Sequence, residues 1–303
     1  MIIHVFITLL REFLLFAQLK SIQYVFILGS LLIASLLPAK TISVKDFGAI
    51  GDGRMNDLPA FEAALQAISS KSRVPDTLFV PSGEYRLVPA EGVKKDSHLE
   101  LSHLKNLVIT GESSTRLVFG SPYIHGIKLI RSSNITIRNL ILDYDPLPFT
   151  QGMITSVDSE GHLIDVQIEA GYPSPTDEHL DITKSKGHIV GYVFDPESPR
   201  RLEQFFDQYL RVPVQDLGNG TFRYQSSHDN PVSSEMVGKR FAVIGRRKGN
   251  AIEIWDATDC LIEQVSVYSA PACAFGVFGS ANVTIDRCKV ILKPRTTRTM
   301  STN

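Results

Sequence analysis

Two aspartates stand two positions apart near the middle of the chain, Asp143 and Asp145, with Tyr144 between them. Carboxylates accept hydrogen bonds from sugar hydroxyls. Two carboxyl groups in unlike surroundings can also divide acid and base roles, because each environment shifts the pKa of its own group. We therefore predict both as candidates for substrate binding or for assisting catalysis. The alternative is that they form a turn and hydrogen-bond only to nearby backbone.

Four further residues have side chains that suit binding. Trp255, the single tryptophan, is followed by Asp256; its ring could stack on a sugar or pack against neighbouring strands. Arg295 and Arg298 could pair with a carboxylated sugar or belong to an exposed tail. The catalytic residues stay unassigned. The predicted substrate-binding residues are Asp143, Asp145, Trp255, Asp256, Arg295 and Arg298.

The composition argues against several classes of protein. The chain has 303 residues, 43% of them apolar, and a net charge of −1, which allows a sizeable core. A nucleic-acid-binding protein usually shows a basic stripe, and the basic residues here are spread out. Cys260, Cys273 and Cys288 form no CxxC and have no histidine at zinc spacing. We expect core thiols, no metal and no cofactor.

The start of the sequence has the pattern of a targeting segment, predicted at residues 1–39. Lys20 precedes an apolar run at 24–37, and Ala39 is a small residue suited to cleavage. The run is short for a membrane span. We therefore predict a secreted or periplasmic protein with no stable span once the signal is removed.

A pattern of short strands repeats along the chain, and each copy is centred on an Asn or Asp. Apolar residues alternate seven and five positions before this anchor and one and three positions after it. Such alternation is typical of strands with one buried face, and its recurrence indicates a coil that stacks on itself. Asn and Asp favour turns and can form ladders of like side chains. The four anchors are Asn106, Asn134, Asp259 and Asn282.

Two other units accompany the repeats. Apolar residues at helical spacing over positions 58–68 predict an amphipathic helix that covers the open end of the coils, with Asp57 as its N-cap. Turns at 158–161 and 218–220 predict hairpins in an inserted antiparallel β subdomain. After the targeting segment, the predicted divisions are a cap with the first coils at 40–144, the insertion at 145–248 and further coils at 249–303.

The opening of the mature part resembles a known superfamily. The stretch VKDFGAIGDG at residues 44–53, followed by Asn56, Asp57 and the helix, is similar to the start of pectate-lyase and polygalacturonase β-helices. The stretch VPSGEY at 80–85 resembles their next strand and turn. The resemblance implies an all-β fold, a right-handed parallel β-helix. The stretch DYDPLPFTQG at 143–152, before a β-rich insertion, more narrowly resembles exo-α-1,3-galactosidases of the blood-group-B type.

The superfamily includes hydrolases, lyases, epimerases and phage tailspikes, so several functions stay open. The resemblance implies a secreted glycoside hydrolase, galactosidase-like or polygalacturonase-like, with a glycan as its partner. The Asn-x-Asp, Asp-Asp and Gly-His-Gly motifs of polygalacturonases are missing, so we expect the chain to be an N-terminal portion and the catalytic carboxylates to lie mostly beyond Asn303. The alternatives are a non-catalytic glycan-binding or surface protein, or a polysaccharide lyase.

Overall fold

The computed structural model describes residues 39–68, 74–180, 189–227, 231–245 and 249–301. The targeting segment predicted at residues 1–39 lies outside the described residues, apart from Ala39. Within these ranges, no helix is both long and apolar enough to cross a membrane. The chain forms a right-handed parallel β-helix into which a closed antiparallel barrel is inserted, so the predicted fold class is confirmed.

The first face of the β-helix is a four-stranded sheet in which all neighbours are parallel. Core and outward positions alternate along each strand, and equivalent positions stack from coil to coil. Trp255, for example, lies in register with Ile130 on one side and Phe278 on the other. The strands are β5 (Ser97–Ser102), β8 (His125–Ile130), β16 (Ile252–Trp255) and β18 (Phe275–Phe278).

The other faces are formed by a ten-stranded sheet that bends around the core. Strand β9 shows the bend, because its residues 133–138 pair with β6 and its residues 141–144 pair with β7. The strands are β1 (Thr41–Ser43), β2 (Asp52–Asn56), β3 (Asp76–Val80), β4 (Glu84–Leu87), β6 (Lys105–Gly111), β7 (Arg116–Phe119), β9 (Ser133–Tyr144), β17 (Thr258–Val267), β19 (Ala281–Asp286) and β20 (Lys289–Val290).

The predicted anchors lie at one corner of the coils. All four have a left-handed backbone, with φ between 54° and 56°, a conformation that Asn and Asp tolerate better than most residues. The Asn134 side-chain amide donates to Asn106 at 2.8 Å, and the Asn282 amide donates to Asp259 at 3.0 Å. The anchors therefore turn the chain and join neighbouring coils, as the sequence predicted.

Helix α1 (Leu58–Gln66) packs against the same core as the coils. Phe61 is fully buried, with its ring centroid 5.5 Å from that of Tyr85. Asp57 is the N-cap residue of the helix, as predicted, but its side chain makes no cap hydrogen bond. The Asp57 carboxylate instead accepts from the backbone N–H of Ile50, and Asn56 accepts from the N–H of Leu58.

The barrel closes in the order β10-β11-β14-β13-β12-β15, with antiparallel neighbours. It has a separate core that includes Tyr224 and Phe241, whose ring centroids lie 5.8 Å apart. The predicted domain boundaries at residues 144 and 248 stay predictions. The barrel strands are β10 (Phe149–Asp158), β11 (Leu163–Ile168), β12 (Ile189–Phe194), β13 (Gln208–Gly218), β14 (Thr221–Ser226) and β15 (Arg240–Gly245).

After the last coil, residues 293–301 run between the coils and the barrel; we call them the C-terminal segment. Met300 is buried in a cluster with Phe149 of β10 and Ile244 of β15. The backbone N–H of Ala270, which follows β17, donates to the Ser301 carbonyl at 2.9 Å. The alternative of an exposed tail is therefore wrong for the end of this segment.

Two of the three cysteines belong to the β-helix interior. Cys260 is buried in the core, and Cys288 packs partly against it. Cys273 is exposed, so the expectation of a core thiol is wrong at this position. It lies just before β18, and its backbone N–H donates to the Asn250 side chain at 2.9 Å.

Candidate functional site

A cleft of about 420 Å³ opens where the coils, the barrel and the C-terminal segment meet. The end of β9 and the residues after it provide one wall, the stretch after β11 provides a second and the C-terminal segment a third. Its polar lining is rich in charged groups. The acidic, basic and histidine residues among those that line it are Glu84, Asp143, Asp145, Asp177, His179, Lys293 and Arg298.

Asp143 is the most buried charged group of the cleft, with only 1% of its surface exposed. It lies near the end of β9, where the alternation that buries Leu142 turns the next side chain outward, under the C-terminal segment. Its Oδ1 accepts from Arg298 Nη1 at 2.8 Å and from Ser269 Oγ at 2.7 Å. Its Oδ2 lies 3.2 Å from Lys293 Nζ.

The surroundings of Asp143 keep it ionised. Burial alone raises the pKa of the carboxyl group, but the Arg298 guanidinium and the hydrogen bond from Ser269 outweigh burial and hold the pKa below its ordinary value. An ionised carboxylate that is hydrogen-bonded through Oδ1 and ion-paired through Oδ2 is poorly suited to donate a proton. Its chemistry here is to hold two cations at the wall of the cleft.

Asp145 lies two residues further on, in a contrasting environment. Its side chain is 61% exposed, and one oxygen lies 2.6 Å from Arg86 Nη1 of β4. The following peptide bond, Asp145–Pro146, is cis. Asp145 therefore presents a solvent-accessible carboxylate to the cleft, whereas Asp143 is enclosed.

The stretch after β11 adds two groups that the sequence analysis missed, Asp177 and His179. The Nε2 atom of His179 is buried and has no hydrogen-bond partner among the described residues. Burial lowers the pKa of His179, against the opposing effects of Asp177 and Asp145. The imidazole is therefore neutral at pH 7, and it lines the cleft with its Nε2 shielded from solvent. The signal in the sequence was that Asp177 and His179 lie two positions apart. This spacing is not specific to any kind of site.

The C-terminal segment is fixed to the barrel by several hydrogen bonds. The Gln151 amide donates to the Thr297 carbonyl at 2.9 Å, and its carbonyl oxygen accepts from the Thr299 backbone N–H at 3.1 Å. The hydroxyl groups of Tyr172 and Thr297 lie 3.0 Å apart. These contacts hold Arg298 in place over Asp143. Lys293, which completes the group, was also missed by the sequence analysis.

The predicted site residues fall into separate places. Asp143, Asp145 and Arg298 line the cleft, and Arg295 lines an adjoining recess of about 590 Å³ together with Tyr172. Trp255 and Asp256 lie instead at a corner of the first face. A role in substrate binding stays a prediction for all six residues.

Trp255 packs within the ladder of its sheet. Its ring is stacked on that of Phe278, with centroids 5.3 Å apart, and its exposed fraction is 45%. Asp256 has a left-handed backbone and lies 3.9 Å from Arg131 of the neighbouring coil. These contacts favour packing for Trp255, because one face of the indole is already covered by Phe278 and its neighbour on the other side in register is Ile130.

Groups of three or more His, Cys, Asp or Glu side chains that could hold a metal ion do not occur in the part of the chain that the structure describes. Within the cleft, Asp143 pairs with Lys293 and Arg298, whereas Asp145 pairs with Arg86 outside it. The geometry of the cleft supports hydrogen bonding to a polar ligand, with the accessible Asp145 carboxylate as the available acceptor.

Residues 41–195 match a protein family described as rhamnogalacturonase A/epimerase, pectate lyase-like. The chain belongs to this family. The matched range covers the first coils and the first three barrel strands, and it contains Asp143, Asp145 and His179. The resemblance to the pectate-lyase-like superfamily is thereby confirmed.

Curated relatives of this pectate lyase-like chain include galactosidases and epimerases. Alpha-1,3-galactosidase A of Shewanella woodyi is 22% identical over 290 residues, which cover 88% of this chain and 46% of the relative. Alpha-1,3-galactosidase B of Bacteroides thetaiotaomicron is 28% identical and covers 46% of this chain and 24% of the relative. A mannuronan C5-epimerase of Azotobacter vinelandii is 45% identical over 209 residues, 66% of this chain and 13% of the relative. The chain thus spans less than half the length of these relatives.

Solved structures similar to this chain include two carbohydrate-related proteins. The A-module of an Azotobacter vinelandii mannuronan C-5 epimerase is 18% identical, with a TM-score of 0.39, and covers 81% of this chain and 42% of the module. A putative glycosyl hydrolase from Parabacteroides merdae is 9% identical, with a TM-score of 0.27, over 82% of this chain and 97% of the hydrolase.

Proposed function

We propose that this chain is part of a carbohydrate-active β-helix protein and that the cleft between its coils and its barrel binds a glycan. The single observation that carries the proposal is the cleft itself. It combines an enclosed, ionised Asp143 with the accessible Asp145 carboxylate and a neutral His179. Rigid, pre-oriented acceptors of this kind suit the hydroxyl groups of a sugar, because they are held in place before the ligand arrives.

For the whole protein we propose glycoside hydrolysis of the exo-α-galactosidase type. The first support is the relative named alpha-1,3-galactosidase, whose match extends over 88% of this chain and so includes both barrel and coils. The second is the stretch around Asp143 and Asp145, which resembles that group of enzymes. Hydrolysis of a glycosidic bond requires two carboxyl groups with separate roles. We assign glycan binding to this cleft. We assign the two carboxyl groups that hydrolyse the glycosidic bond to the whole protein and not to this cleft. We also propose secretion or periplasmic location, supported by the apolar run and Ala39 near the start of the sequence.

A second candidate function is epimerisation or β-elimination on a uronate polymer. It is supported by the mannuronan C5-epimerase relatives, one of them 45% identical over 209 residues. The neutral His179 also suits it, because these reactions begin with proton abstraction next to a carboxylate and need a base.

Glycan binding by the chain tests the proposal directly. We would measure saturation-transfer NMR spectra of the protein with galactosides, galacturonides and mannuronate oligomers. Asp145→Asn should weaken binding of a galactoside in the cleft, because it removes an accessible acceptor charge. Glu160→Gln is the matched control, since Glu160 is exposed on the turn between β10 and β11, outside the cleft. Absence of binding by all three glycan classes contradicts the proposal.

A further inference from the structure

The charges that line the cleft are unequal. Among the described lining residues there are four carboxylates and two cations, and His179 is neutral at pH 7. Two of the four carboxylates are balanced by cations that do not line the cleft, Arg86 and Arg116. What decides the preference for a ligand is therefore whether any cation is free to pair with it. The carboxylates are Glu84, Asp143, Asp145 and Asp177, and the cations are Lys293 and Arg298.

Both cations of the lining are already engaged. Lys293 and Arg298 both bind Asp143, at 3.2 Å and 2.8 Å. The Arg298 side chain is only 10% exposed, so its guanidinium is directed towards the protein rather than the ligand space. A carboxylate on an incoming sugar would have to displace Asp143 to reach either cation.

The cations just outside the cleft are engaged as well. Arg86 pairs with Asp145 at 2.6 Å, and Arg116 pairs with Glu84 at 2.6 Å. Asp177 makes no ion pair among the described residues; its Oδ2 accepts from the Ser174 backbone N–H at 2.9 Å. The described cleft thus offers hydrogen-bond acceptors with negative charge and no free cation.

We infer that the cleft selects uncharged sugars and that Asp145 and Asp177 are the residues that exclude uronates. This inference rests on the proposed function and names the substrate class of the same site. Hydroxyl groups of a neutral sugar can donate to these carboxylates, and hydrogen bonds to a charged acceptor are the stronger ones. A uronate would place its own carboxylate beside them without a partner, which is unfavourable.

Arg295 is a cation whose charge favours acidic sugars over neutral ones. Its position outside the cleft limits this attraction. It lines the adjoining recess rather than the cleft, and it is exposed to solvent. The charge of an exposed side chain is screened by water and salt, so it attracts a ligand in the cleft only weakly. Removal of Arg295 should leave the choice between neutral and acidic sugars unchanged.

The test compares two sugars of matched size, methyl α-galactoside and methyl α-galacturonoside, titrated into the whole chain at low salt by NMR. We expect the neutral sugar to bind at least about tenfold more tightly, because the second sugar has a negatively charged carboxylate in place of the C6 hydroxymethyl group. The double variant Asp145→Asn with Asp177→Asn should raise the affinity for the galacturonoside by about tenfold and weaken binding of the neutral sugar. Glu160→Gln is the control and should change neither affinity, and Arg295→Ala should leave the ratio of the two affinities unchanged. Thermal unfolding of each variant verifies that it is folded.

The outcomes separate the two ideas. Equal or tighter binding of the galacturonoside by the unchanged protein overturns this inference and leaves glycan binding standing. Loss of the preference in the Arg295→Ala variant overturns the assignment to Asp145 and Asp177. Binding of neither sugar overturns the proposed function, and this inference with it.

Discussion

Replacing Arg298 by methionine should destabilise the junction between coils and barrel. Arg298 is 10% exposed and Asp143 is 2% exposed by side chain, so the variant leaves a buried carboxylate without its nearest cation. Removal of one partner from a buried pair costs about 3–5 kcal/mol. Lys293 still lies 3.2 Å from the same carboxylate, so we expect the lower value, about 3 kcal/mol. At roughly 2–4 °C per kcal/mol, the melting temperature should fall by about 6–12 °C.

Urea unfolding of the variant and the unchanged protein measures this loss. Arg287→Met is the matched control: Arg287 pairs with Glu263 and Asp286, but its side chain is 59% exposed, so its removal should cost less than about 1 kcal/mol. A double-mutant cycle with Asp143→Asn should show a coupling of at least about 1 kcal/mol between Asp143 and Arg298. Equal effects of Arg298→Met and Arg287→Met would refute the argument that burial gives the pair its strength.

Three other changes test separate parts of the fold. Burial lowers the pKa of His98 to about 4, so the folded protein holds the imidazole neutral. Below pH 6.5 the unfolded chain binds a proton at His98, so the free energy of unfolding should fall by about 2 kcal/mol between pH 7 and 5. Urea titrations should show that His98→Gln largely abolishes this loss. Asn134→Ala should cost about 1–2 kcal/mol, because alanine is strained at a φ of 55°, and Asn134→Gly should cost less when both are unfolded thermally. Phe61→Ala should cost about 3–5 kcal/mol by the same measurement, and a cost below that of the exposed Gln66→Ala would contradict the packing of α1 against the core.

The repeating part of the fold was predictable because its causes are local. The alternation of apolar residues around Asn106, Asn134, Asp259 and Asn282 specifies which side of each strand is buried. Packing against neighbouring strands was one of the two interpretations of Trp255, and the register places it between Ile130 and Phe278. Each anchor needs a left-handed backbone that few residue types accept, so its identity is visible without knowledge of the rest of the structure.

The cleft was only partly predictable, because its contacts join distant parts of the chain. Asp143 and Arg298 were both chosen from the sequence, but 155 positions separate them, and nothing in their local pattern indicates that they pair. His179 follows β11 in a stretch with no repeat, so its burial depends on packing that the sequence does not display. The capping role of Asp57 was predicted from residue type alone. Its carboxylate instead accepts hydrogen bonds from the backbone N–H groups of Ile50 and Gly51.

The pairing of Asp143 with Arg298 also sets an order of assembly. Ribosomes produce the N-terminal residues first, so Asp143 emerges long before the residues that neutralise it. The barrel strands are close in sequence and the early coils pair with one another, so both can form while the C-terminal segment is still absent. The cleft is therefore completed only after the coils and the barrel that precede residue 293 have been made. Hydrogen exchange should find residues 293–301 opening at lower free energy than the coils, which exposes the cleft without unfolding the solenoid.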